Sequence, residues 1–343
     1  MDGSVQLGLD TFGDITTRDD GTRVSPAQAI RDVVDQAVLA DEVGLHAFGV
    51  GEHHRPDFAV SSPEVVLAAA AARTRSIRLG TAVTVLSSDD PVRVYERFAT
   101  LDAVSSGRAE ITLGRGSFIE SFPLFGYELR DYETLFDEKL ALFSQLRTEQ
   151  PVTWSGTTRA ALENADVHPK TAAGFPAWVG VGGSPESVVR AARYDYGLML
   201  AIIGGSPARF RPFVDLFRRE RAGRSALPVG VHSPGHVADT DEQAWEEAYP
   251  AFAQLHNTIG RERGWGPYTR AQFDHGVGPD GAVYAGSPET VARKIAATVR
   301  ALGIDRFDLK FSTGTLSHAK MMRSIELFGT RVAPRVSELL AES

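Results

Sequence analysis

Short apolar runs alternate with longer helical patterns along the whole chain, and a Ser-Pro or Asp-Pro pair opens one helix after another. That rhythm restricts the fold more than any other feature of the sequence. Ser25-Pro26 opens the spacing Ala29, Ile30, Val33, Val34, Ala37, Val38, which is helical and ends near Gly44. Ser62-Pro63 opens a helix through Val65, Val66 and the run Ala68–Ala72, and Asp90-Pro91 opens one through Val94, Phe98 and Leu101 to Gly107. Ser184-Pro185 and Ser287-Pro288 open two more. In each pair the Ser or Asp oxygen is placed to cap unpartnered first-turn amides, and proline fits a position that needs no N–H bond.

Between these helices the sequence reads as buried strands: Val5–Leu9, Ala47–Val50, Ile77–Val85, Ala109–Leu113, Ala177–Val181, Gly197–Ile203, Pro228–Val231 and Phe307–Phe311. These runs are almost continuously apolar, the pattern of strands covered on both faces in a parallel sheet. Eight strands alternating with helices predict an α/β fold, a (β/α)8 TIM-like barrel, as a single domain over residues 1–343. A doubly wound open sheet is the alternative. Two excursions break the rhythm, residues 150–176 after the fourth strand and residues 233–286 after the seventh. The second reads either as a lid over the barrel mouth or as a surface loop without a role.

Composition then removes whole function classes. The formal net charge is -8, and no Lys/Arg block offsets it locally. An acidic surface repels phosphate backbones, so a nucleic-acid partner is not expected. The longest apolar runs fall far short of the ~20 residues that cross a membrane. The start, MDGSVQLGLD, lacks the basic and apolar segments of a secretory signal, so a cytoplasmic enzyme is expected. With no cysteine there is no disulfide, thiolate nucleophile or Cys metal site.

In a barrel, reactive groups collect where strands end. The second predicted strand ends in Gly51-Glu52-His53-His54-Arg55. Adjacent residues of an extended chain point to opposite faces, so the two histidines should not share a metal ion, and no metal is expected. One packed and one exposed histidine is one reading; a histidine acting as acid, base or hydrogen-bond donor is the other. The third strand carries small residues, Gly80, Thr81 and Ala82, which let a flat ring approach the backbone. The fourth ends in Leu113-Gly114-Arg115-Gly116-Ser117-Phe118, where an arginine between glycines suits an anion or simply sits solvated in a turn. The fifth ends in Val181-Gly182-Gly183-Ser184-Pro185-Glu186-Ser187, glycines running into a capped helix start that favours an anion. Nearly the same words recur at Ala285-Gly286-Ser287-Pro288, so one of the two is structural. No stretch completes G-x-G-x-x-G, which disfavours a Rossmann dinucleotide site.

These segments, taken in order, resemble the bacterial luciferase-like monooxygenase family. The likeness is carried by GLDTF, GVGEHH, LGTAVTVLSSDDPVRVYE, SSGRAEITLGRGSF, VHPK…PAWVGVGGSPESV and KFSTGTLSHAKMMRSIELFGTRVAPRV, and weakens between about residues 233 and 285. The resemblance implies a barrel that binds FMN, or in one branch the deazaflavin F420, at its C-terminal mouth. It implies that Glu52 and His53 face the flavin, with His53 in the acid-base role. Ala82-Val83 would form a non-prolyl cis peptide beneath the ring, and Arg115 would lie near the flavin and its phosphate. Gly182, Gly183, Ser184 and Ser187 would form the phosphate-binding turn. Bacterial luciferase has a reactive cysteine where this chain has Gly114, so thiol effects do not carry over.

The activity implied is a flavin-dependent monooxygenase using reduced FMN and dioxygen to oxygenate a small organic substrate. A separate flavin reductase and a homodimer built on the helices after strands two and three are implied with it. The alternatives are an F420-dependent hydride-transfer oxidoreductase on the same fold and a non-catalytic flavin-binding protein. The identity of the substrate is not legible in the sequence.

Overall fold

The computed structural model describes residues 5–18, 20–116 and 118–342, so Ser117 and the first four residues lie outside the description. Its first half runs β1 (Gln6–Thr11), α1 (Pro26–Glu42), β2 (Ala47–Val50), α2 (Pro63–Ala71), β3 (Arg78–Thr81), β4 (Thr84–Val85), α3 (Pro91–Ser105), β5 (Ile111–Gly114), α4 (Ser121–Leu124), α5 (Tyr132–Leu146), β6 (Val152–Trp154) and β7 (Leu162–Ala165). The second half runs β8 (Ala177–Val181), α6 (Pro185–Arg193), β9 (Gly197–Ala201), α7 (Arg211–Glu220), β10 (Val229–Val237), α8 (Asp241–Arg263), α9 (Arg270–Val277), β11 (Tyr284–Gly286), α10 (Pro288–Leu302), β12 (Arg306–Lys310), α11 (His318–Leu327) and α12 (Ala333–Ala341).

The helix starts follow the capping chemistry with one exception. Asp90 accepts from the amides of Val92 and Arg93 at 2.9 and 3.3 Å, and Ser25, Ser184 and Ser287 each accept from the amide three residues on. Ser62 makes no side-chain cap bond, contrary to the sequence expectation. Its backbone (φ -137, ψ 74) departs from the extended cap geometry that Ser25 holds, and α2 begins on Pro63 and the acidic Glu64 instead.

Nine strands pair in parallel in the order β3-β2-β1-β12-β10-β9-β8-β5-β4. A parallel bridge links Leu79 of β3 to Ala109, just before β5, and brings the two ends of that order together. The result is a nearly closed barrel in which β3 and β4 are two segments of one stave. The predicted strand Ile77–Val85 is therefore split, and the split falls at Ala82–Val83, whose peptide is cis, the geometry the resemblance implied. The predicted strand Pro228–Val231 extends on to Val237 as β10, because its last three residues pair with β11. β6 and β7 form a separate antiparallel ribbon between β5 and β8. The helices cover the barrel, and the staves bury apolar side chains toward them, among them Phe48, Leu79, Ile111, Val179, Leu198 and Phe307. No described helix is long and apolar enough to cross a membrane.

Candidate functional site

A cavity of about 370 Å3 opens among the carboxyl ends of the barrel strands, within the ~300–1,000 Å3 range of small-molecule sites. Of the residues singled out from sequence, Glu52, His53, Ala82, Val83, Arg115 and Gly182 line it. Gly183, Ser184 and Ser187 follow immediately, at the start of α6, beyond the lining itself. The site has three parts: an aromatic wall, a cationic rim and a charged floor.

The wall surrounds His53. Its ring centroid lies 4.8 Å from that of Phe12, 4.4 Å from Phe58 and 5.1 Å from Phe118. Burial among these rings pushes the His53 pKa down to about 3, with Lys310 working in the same direction and Asp14 against it. An unperturbed imidazole exchanges protons near neutrality, and this one is held below that range. His53 is neutral there, because the lost hydration of its charged form outweighs the pull of Asp14. It faces the cavity as a neutral ring, able to donate from one nitrogen and accept at the other. His54 also reaches the cavity, but its Nε2 lies 2.9 Å from Glu52 Oε1, and the other Glu52 oxygen accepts the Val85 amide at 2.9 Å. That pair ties the end of β2 to the end of β4.

The rim is made by Arg115 and α6. The Arg115 guanidinium pairs with Glu133 and lies 5.1 Å over the Tyr132 ring. Glu133 is shared with Arg190, which donates to Ser187 Oγ at 3.3 Å. Arginines from two separate elements thus converge on the N-terminal turn of α6, sharing Glu133, with Arg190 paired to Asp137 as well. Arg190 went unnoticed in the sequence; its place three residues beyond Ser187, on the same helix face, was the available signal. The look-alike turn at α10 is different. There Asp241 already accepts from the Ser287 amide at 2.6 Å and the Thr290 hydroxyl at 2.9 Å. At α10 those groups are taken up by Asp241 of α8, whereas at α6 the Ser184 hydroxyl donates to Glu186 at 2.8 Å and the Gly182–Gly183 backbone stays open.

The floor was not foreseen. Asp10, Glu110, Arg306, Asp308 and His232 reach the cavity from inside the barrel. Arg306 donates to Asp308 at 2.8 Å and to Glu110 at 2.6 Å, with all three groups buried. Asp10 Oδ2 lies 2.6 Å from His232 Nδ1. Burial pushes the Asp308 carboxyl up to about 7; Arg306 opposes the shift and the neighbouring Asp10 adds to it. Glycines on the adjoining staves make the room. A Cβ at Gly8 would sit 2.2 Å from Asp308 Oδ1, and one at Gly49 would sit 2.0 Å from Asp10 Oδ1. Gly114 has a similar reason, since a Cβ there would stand 2.4 Å from Val83 Cγ2. A side chain in the place of luciferase's cysteine would therefore require Val83 to move.

Among the described residues no group of three or more His, Cys, Asp or Glu side chains is placed to hold a metal ion. The segment after β10 does touch the rim: Arg55 makes a bidentate pair with Glu262 of α8, at 2.8 and 2.5 Å, and lies 4.7 Å over Phe118.

The sequence matches the family described as luciferase-like monooxygenase over residues 11–306. It is 28% identical over 330 residues to 4-hydroxyprotoasukamycin monooxygenase of Streptomyces nodosus subsp. asukaensis, covering 88% of this chain and 85% of that protein. The fold is shared with the FMN complex of the oxygenating constituent of 3,6-diketocamphane monooxygenase from Pseudomonas putida. That likeness has a TM-score of 0.76 at 19% identity, over 97% of this chain and 99% of that one. It is shared also with the coenzyme F420-dependent tetrahydromethanopterin reductase of Methanopyrus kandleri, at TM-score 0.72 and 20% identity, over 97% and 100% of the two chains. A parallel barrel with its cavity at the strand carboxyl ends, and a sequence match over most of its length, make this chain a member of the luciferase-like monooxygenase family of oxidoreductases.

Proposed function

We propose that this protein uses reduced FMN and dioxygen to oxygenate a small organic substrate, with the reduced flavin supplied by a separate reductase. The observation that carries the reading is the two-ended cavity, with an apolar and aromatic body beside a cationic, amide-bearing rim. That combination fits a flavin ring joined to a phosphate. Gly182 and Gly183 have open space where a Cβ would stand, so a ligand can approach the backbone closely. Arg115, Arg190, Ser184 and the first amides of α6 would hold the phosphate, displacing the Arg115–Glu133 pair, and Val83 with its neighbours would support the ring. Bound reduced flavin supplies the electrons that make dioxygen reactive toward the substrate. The chain's own part is to orient the groups, keep water out with Phe12, Phe58 and Phe118, and offer a neutral His53 hydrogen bond. The FMN complex of the diketocamphane enzyme supports FMN, and the F420 enzyme on this fold makes F420-dependent hydride transfer the second reading.

Titration of the protein with FMN and, separately, with F420 tests the cofactor. FMN is expected to bind, and Ser184→Glu to weaken it by about tenfold to a hundredfold, the worth of a hydrogen bond to a charged group. Ser287→Ala is expected to leave it within twofold. Tighter binding of F420, or an unchanged affinity in Ser184→Glu, would remove the assignment.

The assembly we infer is a homodimer through α2 and α3. Val65 on α2 is 70% exposed and Val104 on α3 is 52% exposed, and the alanines beside Val65 allow close helix approach. Light scattering at micromolar concentration should find particles of two chains; single chains alone would contradict it.

A further inference from the structure

We propose that His232, held by Asp10, is a general base of this cavity, and that it selects substrates bearing a weakly acidic hydroxyl, such as a phenol or an enol. The geometry begins with the 2.6 Å contact between Asp10 Oδ2 and His232 Nδ1. An ionised carboxylate only accepts hydrogen bonds, so the proton of this bond sits on Nδ1. The neutral imidazole then has its lone pair at Nε2. That atom makes no hydrogen bond to any described residue, while His232 lines the cavity. The arrangement is a carboxylate fixing an imidazole tautomer so that the other nitrogen accepts a proton, the division of labour found in hydrolase triads.

Both members are held rigidly. β1 and β10 pair to opposite edges of β12, with Asp10 opposite Lys310 and His232 opposite Asp308. Phe12 stacks on the His232 ring at 5.9 Å and 14°, and is itself held by the His53 and Phe58 rings and by Lys310, whose ammonium lies 4.7 Å from the Phe12 ring centre. Gly49 leaves the space that the Asp10 carboxylate occupies. The charged groups around the pair are Asp308 and Lys310 on β12, with Arg306 and Glu110 beyond Asp308. Arg306 is taken up by Asp308 and Glu110, and Lys310 by Asp14 and the Ser312 carbonyl. Asp10 is thus the anion in contact with His232, and it stabilises an imidazolium formed there.

The two cavity histidines therefore differ in kind. His53 sits among phenyl rings with no carboxylate partner, whereas His232 has one at contact distance. A ligand placed in a mostly apolar cavity beside a lone pair gains most when it brings a proton to it. In the step proposed, the O–H bond of the ligand breaks and its proton passes to Nε2. The products are an imidazolium paired with Asp10 and an oxyanion whose charge spreads onto the conjugated carbons. No electrons are exchanged in this step. It enriches those carbons for attack on an electrophilic oxygen, and in that sense it rests on the oxygenation reading.

The test needs neither flavin nor dioxygen, so its failure and a failure of the FMN titration are separate results. Nitrogen-15 NMR of the histidine rings at pH 8 should show His232 as the Nδ1–H tautomer with an unprotonated Nε2. With 4-nitrophenol at pH 6, excess protein should raise the absorbance of the phenolate at least threefold over free dye. His232→Gln should abolish the rise. Asp10→Asn keeps an acceptor for Nδ1–H but loses the charge, and should cut the phenolate-to-phenol ratio about tenfold. Circular dichroism and a melting curve establish that both variants are folded, and Ser287→Ala, outside the cavity, provides a folded comparison that keeps the rise. An Nε2–H tautomer overturns the proposal. So does the absence of a phenolate rise with wild-type protein, or a rise that survives in His232→Gln.

Discussion

Replacing Arg306 with methionine should lower the unfolding free energy by about 3–5 kcal/mol, the usual result of removing one partner from a buried ionic network. The guanidinium lies inside the barrel, 3% exposed, bonded to Asp308 at 2.8 Å and Glu110 at 2.6 Å. Burial works against its charge, but Asp308 and Glu110 outweigh that and hold it protonated. Methionine fills much of the volume and leaves two carboxylates without a cation, so they must be protonated or hydrated. The penalty therefore depends on pH, with a definite sign. Burial already holds the Asp308 carboxyl above the ordinary value near 3.9, against the pull of Arg306. A carboxyl with a raised folded pKa keeps its full contribution below the unfolded value and loses it as pH rises through the folded one. Without Arg306 the folded pKa rises further. Urea unfolding should accordingly show a larger loss at pH 8 than at pH 5. Adding Glu110→Gln and Asp308→Asn to Arg306→Met should recover part of the loss at pH 8. A loss below 1 kcal/mol, or one equal at the two pH values, would show that the floor is hydrated and the network carries little.

The difference between what sequence revealed and what it hid has a physical basis. β2 and β8 were read at their observed bounds because each is a short apolar run closed by glycine, Ala47–Val50 before Gly51 and Ala177–Val181 before Gly182. The end of β10 was missed because Ser233, Pro234, Gly235 and His236 look like a loop. Part of their polarity is met internally, Ser233 donating to the Ile202 carbonyl at 2.9 Å and His236 Nε2 meeting Glu247 at 2.7 Å. The strand-end groups were legible because barrel topology gathers them at one mouth, and the family resemblance named the same positions. The floor was not, because its charges alternate with apolar residues along short strands, as Arg306 and Asp308 do on β12, and make sense only beside partners on other staves. Asp10 and His232 are 222 residues apart, and Glu110 and Arg306 are 196 apart. The trace left in sequence is the glycine on the next stave, Gly8 beside Asp308 and Gly49 beside Asp10, and it can be read only when strand order and register are known.

His53→Ala should reduce coupled turnover by about 10²–10⁴-fold, the range for loss of a positioned acid-base or hydrogen-bonding group. The motive is its place: at the end of β2, on the cavity, between three phenyl rings that fix its plane. Those rings also determine how it can act. With its pKa pushed down to about 3, the imidazole stays neutral across the working range, so it serves by a polarised N–H bond and brief proton sharing rather than by resting as a cation. The pH profile of wild-type turnover between 5 and 8 should then contain no step that disappears in His53→Ala. The residual activity of the variant should run parallel to wild type at a lower level. Oxygen consumption should persist while product falls, with the difference appearing as hydrogen peroxide. Stability should change little at pH 7, and the sign at low pH is opposite to that of a paired histidine. A histidine with a depressed folded pKa loses stability as pH falls below its unfolded value of about 6.5, so His53→Ala should resist acid better than wild type. His54→Ala is the comparison, since it breaks the pair with Glu52 and leaves the aromatic wall intact. A fall in melting temperature with coupling unchanged would make His53 a packing residue. Loss of coupling confined to His54→Ala would move the role to the Glu52–His54 pair, and loss mimicked by a chelator in wild type would point to a metal.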